Sequence, residues 1–258
     1  MRKKDCYILA KTDKFLLDDN GSIQLLEEGF QPRFKLQTIV NGYGSPIGYE
    51  VLLDFQYALE NNQLMKYKTS VVYGESLLPC IQLLHNFFRE GSNKELYVFI
   101  NIERSNLCDV RAIKKIDDLS KYLKSVNVTL VVEITEREYC KDCCSAVDGL
   151  LYLSANKLLL AADDFNYIDD LDHRYEELLS GIYNIVKISV PLSKDEELCL
   201  SLFLNIIKSL DIKIIVERVE NIEQWDSMRK FFNEDVEVLG YQGFLFCNGV
   251  SLAPLSVI

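Results

Sequence analysis

The chain has 258 residues, room for one large domain or two small ones, and 48% of them are hydrophobic, enough for a substantial core. A formal net charge of −11 repels phosphate backbones and excludes a nucleic-acid polymer as an expected partner, although a site with local cations or metals could still take a small anion. No apolar run reaches the roughly 18 residues of a membrane span, and no signal-like stretch follows the basic start Met1-Arg2-Lys3-Lys4, so a cytoplasmic chain with its eight cysteines reduced is expected.

Residues 1–26 differ in pattern from the rest of the chain. They hold an apolar piece at 7–10 and the turn signal Asp18-Asp19-Asn20-Gly21, which marks a hairpin or an added edge strand on an N-terminal extension. Residues 27–258 are expected to form a single domain. Within it a short apolar run ending in a polar residue recurs: 47–49 ends in Glu50, 96–100 in Asn101, 130–132 in Glu133 and 158–162 in Asp163-Asp164. The series continues with 185–186 ending in Lys187, 214–216 in Glu217 and 238–241 in Gln242. These runs are short and rich in β-branched residues, as in strands buried on both faces.

Helices are predicted between them, over 110–126, 193–210 and 221–232. Ser193 and Glu196 make a capping box for the second, and Leu198, Leu200, Leu202, Phe203, Ile206 and Ile207 give it a broad apolar face. From Asn101 onward the polar ends recur every 24 to 32 residues, near the length of one strand plus one crossover helix. Repeated βα units form a parallel sheet, and a closed barrel collects the C-terminal ends of all its strands into one ring. A closed β/α barrel is therefore the expected fold. Cys140, Cys143 and Cys144 form a CxxCC cluster. A zinc site would need a second ligand pair, which neither His85 nor His173 supplies at ligand spacing, so the cluster reads as a helix start with small buried thiols.

Glu50, Asn101, Glu133, Asp163, Asp164 and Glu217 are all oxygen donors. Five crowded carboxylates repel one another, and hard divalent cations such as Mg²⁺ or Mn²⁺ remove that penalty. The adjacent Asp163 and Asp164 suit two metals that share an oxygen, a device for phosphate-ester hydrolysis. Lys187 in the same ring could hold a nucleophilic water, neutralise phosphoryl oxygens, or pair with a carboxylate.

The motifs carrying these residues resemble those of the EAL domain family of bacterial cyclic-di-GMP phosphodiesterases. Phe30-Gln31-Pro32 is similar to the family's opening strand, and Glu50-Val51-Leu52 stands for the signature Glu-Ala-Leu. Asn101-Ile102-Glu103 resembles Asn-Leu-Ser, Glu133-Ile134-Thr135-Glu136 matches Glu-Ile-Thr-Glu, and Asp163-Asp164-Phe165 matches Asp-Asp-Phe. Lys187-Ile188, Glu217-Arg218-Val219-Glu220 and Gln242-Gly243-Phe244-Leu245-Phe246 resemble Lys-Ile-Asp, Glu-Gly-Val-Glu and Gln-Gly-Tyr-Leu-Phe. The resemblance implies a first metal on Glu50, Asn101, Glu133 and Asp163, and a second on Asp163, Asp164 and Glu217. It implies catalytic roles for Lys187, Glu217 and Gln242, ligand contacts from Gln31, Glu50, Leu52 and Gln242, and a loop anchored by Glu136. The implied fold is a modified (β/α)8 TIM-like barrel in a single domain, and the implied reaction opens cyclic-di-GMP to pGpG.

The departures bear on activity. Asp54 stands where active members carry an arginine facing the dinucleotide, which implies binding weaker by about tenfold to a hundredfold. Residues 163–171 lack both glycines of the family loop that supports metal binding and dimerisation. A homodimer or a regulatory protein partner is thus left open. Ser189 replaces the Asp of Lys-Ile-Asp, and Cys247-Asn248-Gly249 replaces Ser-Lys-Pro. The alternative to an active enzyme is an impaired domain that senses cyclic-di-GMP or binds a regulatory protein.

Overall fold

A computed structural model describes residues 15–17, 23–25, 32–72, 74, 76–135, 143–168, 172, 174–232 and 236–252. The expected boundary between residues 26 and 27 lies outside them, as do Gln31, Glu136, Cys140 and residues 169–171. Near the N-terminus, strands β1 (Phe15–Leu17) and β2 (Ile23–Leu25) pair antiparallel, as the hairpin alternative expects, and the turn signal at 18–21 lies outside the described residues.

Eight strands close a barrel: β3 (Phe34–Val40), β4 (Pro46–Leu53), β5 (Leu96–Ile102), β6 (Val128–Ile134), β7 (Leu159–Ala162), β8 (Ile185–Ser189), β9 (Lys213–Glu217) and β10 (Val238–Gln242). From β4 to β10 each strand is parallel to the next. β3 alone runs the other way, antiparallel to β4 and β10, and its pairing with β10 closes the ring. β11 (Val250–Leu252) pairs with the other half of the same β3 edge.

Helices occupy the crossovers. α1 (Phe55–Glu60), α2 (Leu64–Val72) and α3 (Leu77–Phe87) follow β4, and a 3₁₀ turn (Arg104–Cys108) and α4 (Val110–Ser125) follow β5. α5 (Cys144–Ala155), α6 (Tyr175–Leu179), α7 (Lys194–Ile207) and α8 (Ile222–Phe231) complete the outer layer. Caps set several starts: Asp109, Ser193 and Asn221 accept from backbone N–H groups of the first turns of α4, α7 and α8. The α7 face is narrower than predicted. Leu200, Phe203 and Ile207 are buried, whereas Leu198, Leu202 and Ile206 are exposed, because one stripe alone can meet a convex barrel.

Side chains alternate across each strand, so the sheet has two cores. On β6, Val128, Leu130, Val132 and Ile134 face the helices. Val131 faces inward and joins Ile39, Phe99, Ala161, Ile185 and Ile215 in an apolar floor inside the barrel. The C-terminal mouth of the parallel strands lies above this floor.

Candidate functional site

One alternation above the floor, every strand turns polar. The inward positions are Gln37 on β3, Glu50 on β4, Asn101 on β5, Glu133 on β6, Lys187 on β8, Glu217 on β9 and Gln242 on β10, with Asp163 directly after β7. The sequence pattern places all of these but Gln37 at strand ends. Glu50, Asn101, Glu133 and Lys187 instead lie within their strands, since the sheet continues around a polar interior. Gln37 completes the ring and was missed. It sits mid-strand on the one antiparallel strand, where no polar end signals it.

Lys187 is the hub. Its Nζ lies 2.7 Å from Glu133 Oε1, 2.8 Å from Glu217 Oε1, 2.9 Å from Asp163 Oδ1 and 3.2 Å from Glu50 Oε2. Glu50 is fixed further: Asn101 Nδ2 donates to Oε1 and Gln242 Nε2 to Oε2, each at 2.5 Å. Gln242 Nε2 also reaches Gln37 Oε1 at 3.0 Å. Gly243 permits this placement. Its φ is 154°, and a side chain there would meet the backbone of Val219, whose N–H bonds Gln242 O at 3.0 Å.

Burial dominates the electrostatics. It pushes Glu133 well above the usual carboxylate range, reinforced by the charge of Glu50 and only partly offset by Lys187. Burial also raises Asp163, and lifts Glu217 to about 8 despite Lys187. For Glu50 the order reverses: burial is outweighed by Lys187 and the surrounding hydrogen bonds, so its carboxyl falls below its ordinary value. Burial likewise opposes the Lys187 charge, but Asp163, Glu133, Glu217 and Glu50 together hold the ammonium well above its ordinary value.

Among the described residues no three or more His, Cys, Asp or Glu form a ready-made metal cage. Lys187 lies among the carboxylates that the sequence reading assigned to metals. The donor chemistry still fits a hard divalent cation. The ligands are oxygens, Glu133 Oε2 receives no hydrogen bond among the described residues, and three carboxyls are pushed toward protonation.

Asp164 stands apart from the ring. Its φ is 44°, it is half exposed, and its Oδ1 accepts from Arg218 Nη2 at 2.9 Å. Asp163 and Asp164 both line a cavity of about 450 Å³ over the ring, with Leu52, Phe55, Glu103, Glu217, Arg218 and Phe244 on other walls.

Asp54 does not take the ligand-facing place expected of it. It is buried, and its Oδ1 accepts from Tyr57 N at 3.0 Å as the N-cap of α1. Arg174 escaped the sequence reading because it follows the divergent loop. Fully buried, it forks onto Asp172 and donates to Asp163 O at 2.6 Å and Ile134 O at 2.7 Å. Burial pushes Asp172 up, but Arg174 holds its carboxyl below the usual range. Cys143 stands at the N-cap position of α5 and Cys144 begins it, as the helix-start reading expects. However, Cys144 is exposed, and Cys143 lies 3.6 Å from Cys108, sulfur to sulfur.

No protein-family model matches the chain, and no curated protein matches it. Solved structures do. A cyclic-di-GMP complex of the phosphodiesterase PaMucR aligns with a TM-score of 0.60 and 19% identity over 85% of this chain and 97% of that one. The EAL domain of Mycobacterium smegmatis DcpA aligns at 0.59 and 14%, over 87% of this chain and 93% of that one. The chain has the EAL-domain fold. A manganese and cyclic-di-GMP complex of Klebsiella pneumoniae BlrP1 aligns at 0.64 and 19% over 87% of this chain, which spans only 57% of that protein. The EAL enzyme Bd1971 is likewise longer, the chain spanning 65% of it. Among the described residues no helix of this EAL-type barrel is long and apolar enough to cross a membrane.

Proposed function

We propose that the chain is a metal-dependent phosphodiesterase that hydrolyses cyclic-di-GMP to pGpG. The observation that carries this reading is the ring itself: four carboxylates, two of them buried and two partly exposed, with one asparagine, one lysine and two glutamines, delivered to one layer by eight strands and open to a cavity of about 450 Å³. The fold is that of proteins solved with cyclic-di-GMP, one of them with manganese as well.

Glu50, Asn101, Glu133 and Asp163 would hold one Mg²⁺ or Mn²⁺, and Asp163, Asp164 and Glu217 a second. Divalent cations supply Lewis acidity and a water activated near neutral pH. The chain's residues do the rest. Asn101 and Gln242 orient Glu50 through its two oxygens. Lys187 carries a positive charge that can turn from the carboxylates to a water or a phosphoryl oxygen. Leu52 lines the cavity as an apolar contact for the ligand. Gln31 and Glu136 keep their expected roles of ligand contact and loop anchor as proposals outside the described residues.

One observation favours a second reading, a sensor or a protein-binding module. Lys187 contacts all four ring carboxylates, three of which burial pushes toward protonation, and Arg218 pairs with Asp164 beside the ring, so the charges can be met without metal. Incubation with cyclic-di-GMP and Mn²⁺ or Mg²⁺ separates the two. We expect pGpG, lost in Glu50→Ala. Tight binding without product at high protein concentration would instead establish the sensor, and neither binding nor product would point to a protein partner.

A further inference from the structure

We propose that Arg218 is the residue that grips a phosphodiester oxygen of the ligand at the mouth of the site, a specificity-determining contact resting on the cyclic-dinucleotide reading above. The cavity poses an electrostatic problem for any such anion. Its walls carry Glu50, Glu103, Asp163, Asp164, Glu217 and Glu220. Lys187 is buried beneath and engaged by four carboxylates. Among the described residues, the other cations on the cavity walls are Lys35, in the N-terminal half of β3, and Arg218, just past the end of β9.

Other candidates are committed elsewhere. Asp54 caps a helix, and the Arg33 guanidinium lies over the Tyr57 ring, 4.8 Å from its centroid, away from the cavity walls. Arg218 also has an unusual backbone. Its φ is 57°, a left-handed conformation that is unfavourable for an L-residue and is ordinarily left to glycine. The strain is imposed from both sides. Glu217 belongs to the ring, while Val219 is fixed by its N–H to Gln242 O and by its carbonyl, which accepts from Leu245 N. A strained non-glycine residue held beside a site is a reason to look for a role there.

The side chain is available for that role. It is 66% exposed and meets Asp164 through one nitrogen at 2.9 Å. Exposed pairs of this kind contribute little, so the guanidinium can exchange the carboxylate for a phosphate oxygen at small cost. Its planar fork offers two parallel donors to a diester, which an ammonium does not.

The test is cyclic-di-GMP binding by the full chain in EDTA, where turnover is blocked, paired with steady-state kinetics in Mn²⁺. Arg218→Ala should weaken binding by about tenfold to a hundredfold, the loss of one charged hydrogen bond, and raise KM with kcat little changed. Arg218→Lys should fall between, and Asp54→Ala should bind as wild type. Arg218→Gly, which relieves the backbone, should melt no lower than wild type while losing the same affinity; this separates a ligand contact from a folding role. Equal binding by wild type and Arg218→Ala would overturn the proposal and leave the cyclic-dinucleotide reading standing. Neither binding nor turnover in Mn²⁺ by the wild type would overturn both.

Discussion

Lys187 Nζ lies 2.7 Å from Glu133 Oε1, and both residues are wholly shielded from solvent. A buried charge survives only when paired, and breaking such a pair by removing one partner costs about 3–5 kcal/mol. Lys187→Met should therefore lower the melting temperature in EDTA by about 6–20 °C, at 2–4 °C per kcal/mol for a chain of this size. Mn²⁺ should recover part of that loss by replacing the missing charge. Unchanged melting in scanning fluorimetry would mean that the carboxylates are neutral without the lysine.

The same burial gives the apoprotein a distinctive pH dependence. Glu217 is raised from its ordinary 4.5 to about 8, so the folded state holds its proton more tightly than the unfolded chain does. That stability is complete below about pH 4.5 and is lost as pH rises through 8. Glu133 and Asp163, also raised, act in the same direction. Lys187 and Glu50 do not cancel them, because the raised lysine loses its contribution only at alkaline pH and the lowered Glu50 only at acidic pH. Melting in EDTA should thus fall between pH 5 and 8, less steeply in Glu217→Gln. Mn²⁺, which binds the ionised ligands, should flatten or invert the slope. A rising curve in EDTA would contradict this electrostatic picture.

Asp54 serves a helix rather than the ligand. Loss of an N-cap costs about 1 kcal/mol, so Asp54→Ala should lower the melting temperature by about 2–4 °C and leave kcat and KM within about twofold. A large change in KM alone would restore the ligand-facing role that the sequence suggested.

What the sequence disclosed and what it concealed divide along a physical line. Strand periodicity exposed Glu50, Asn101, Glu133, Asp163, Lys187, Glu217 and Gln242, because each interrupts or follows an apolar run on a parallel strand. Gln37 lay hidden on the reversed strand, whose N-terminal half rather than its end faces the mouth. Residue type could not tell Asp54 as a cap from Asp54 as a ligand-facing charge, since both put a carboxylate after a strand. The α7 stripe failed for a related reason: periodicity marks which residues are apolar, and the barrel's curvature decides which of them it can cover. Arg174 depended on a tertiary contact to carbonyls 40 and 11 residues away.

That contact supports the last prediction. Arg174 bonds the carbonyl of Ile134, next to Glu133, and the carbonyl of Asp163 itself. It therefore ties the ends of β6 and β7 together behind two carboxylates that the metals would use. Lysine keeps the charge but cannot reproduce a fork onto Asp172 and two carbonyls at once. Arg174→Lys should leave a folded chain whose Mn²⁺ affinity, by calorimetric titration, is about tenfold to a hundredfold weaker, as when groups that orient ligands are removed. Because Arg174 does not line the cavity, cyclic-di-GMP affinity in EDTA should change far less than Mn²⁺ affinity. An unaltered Mn²⁺ isotherm would show that the strands alone fix Glu133 and Asp163. Equal losses of both affinities would mean that the substitution disturbs the whole mouth rather than the two carboxylates.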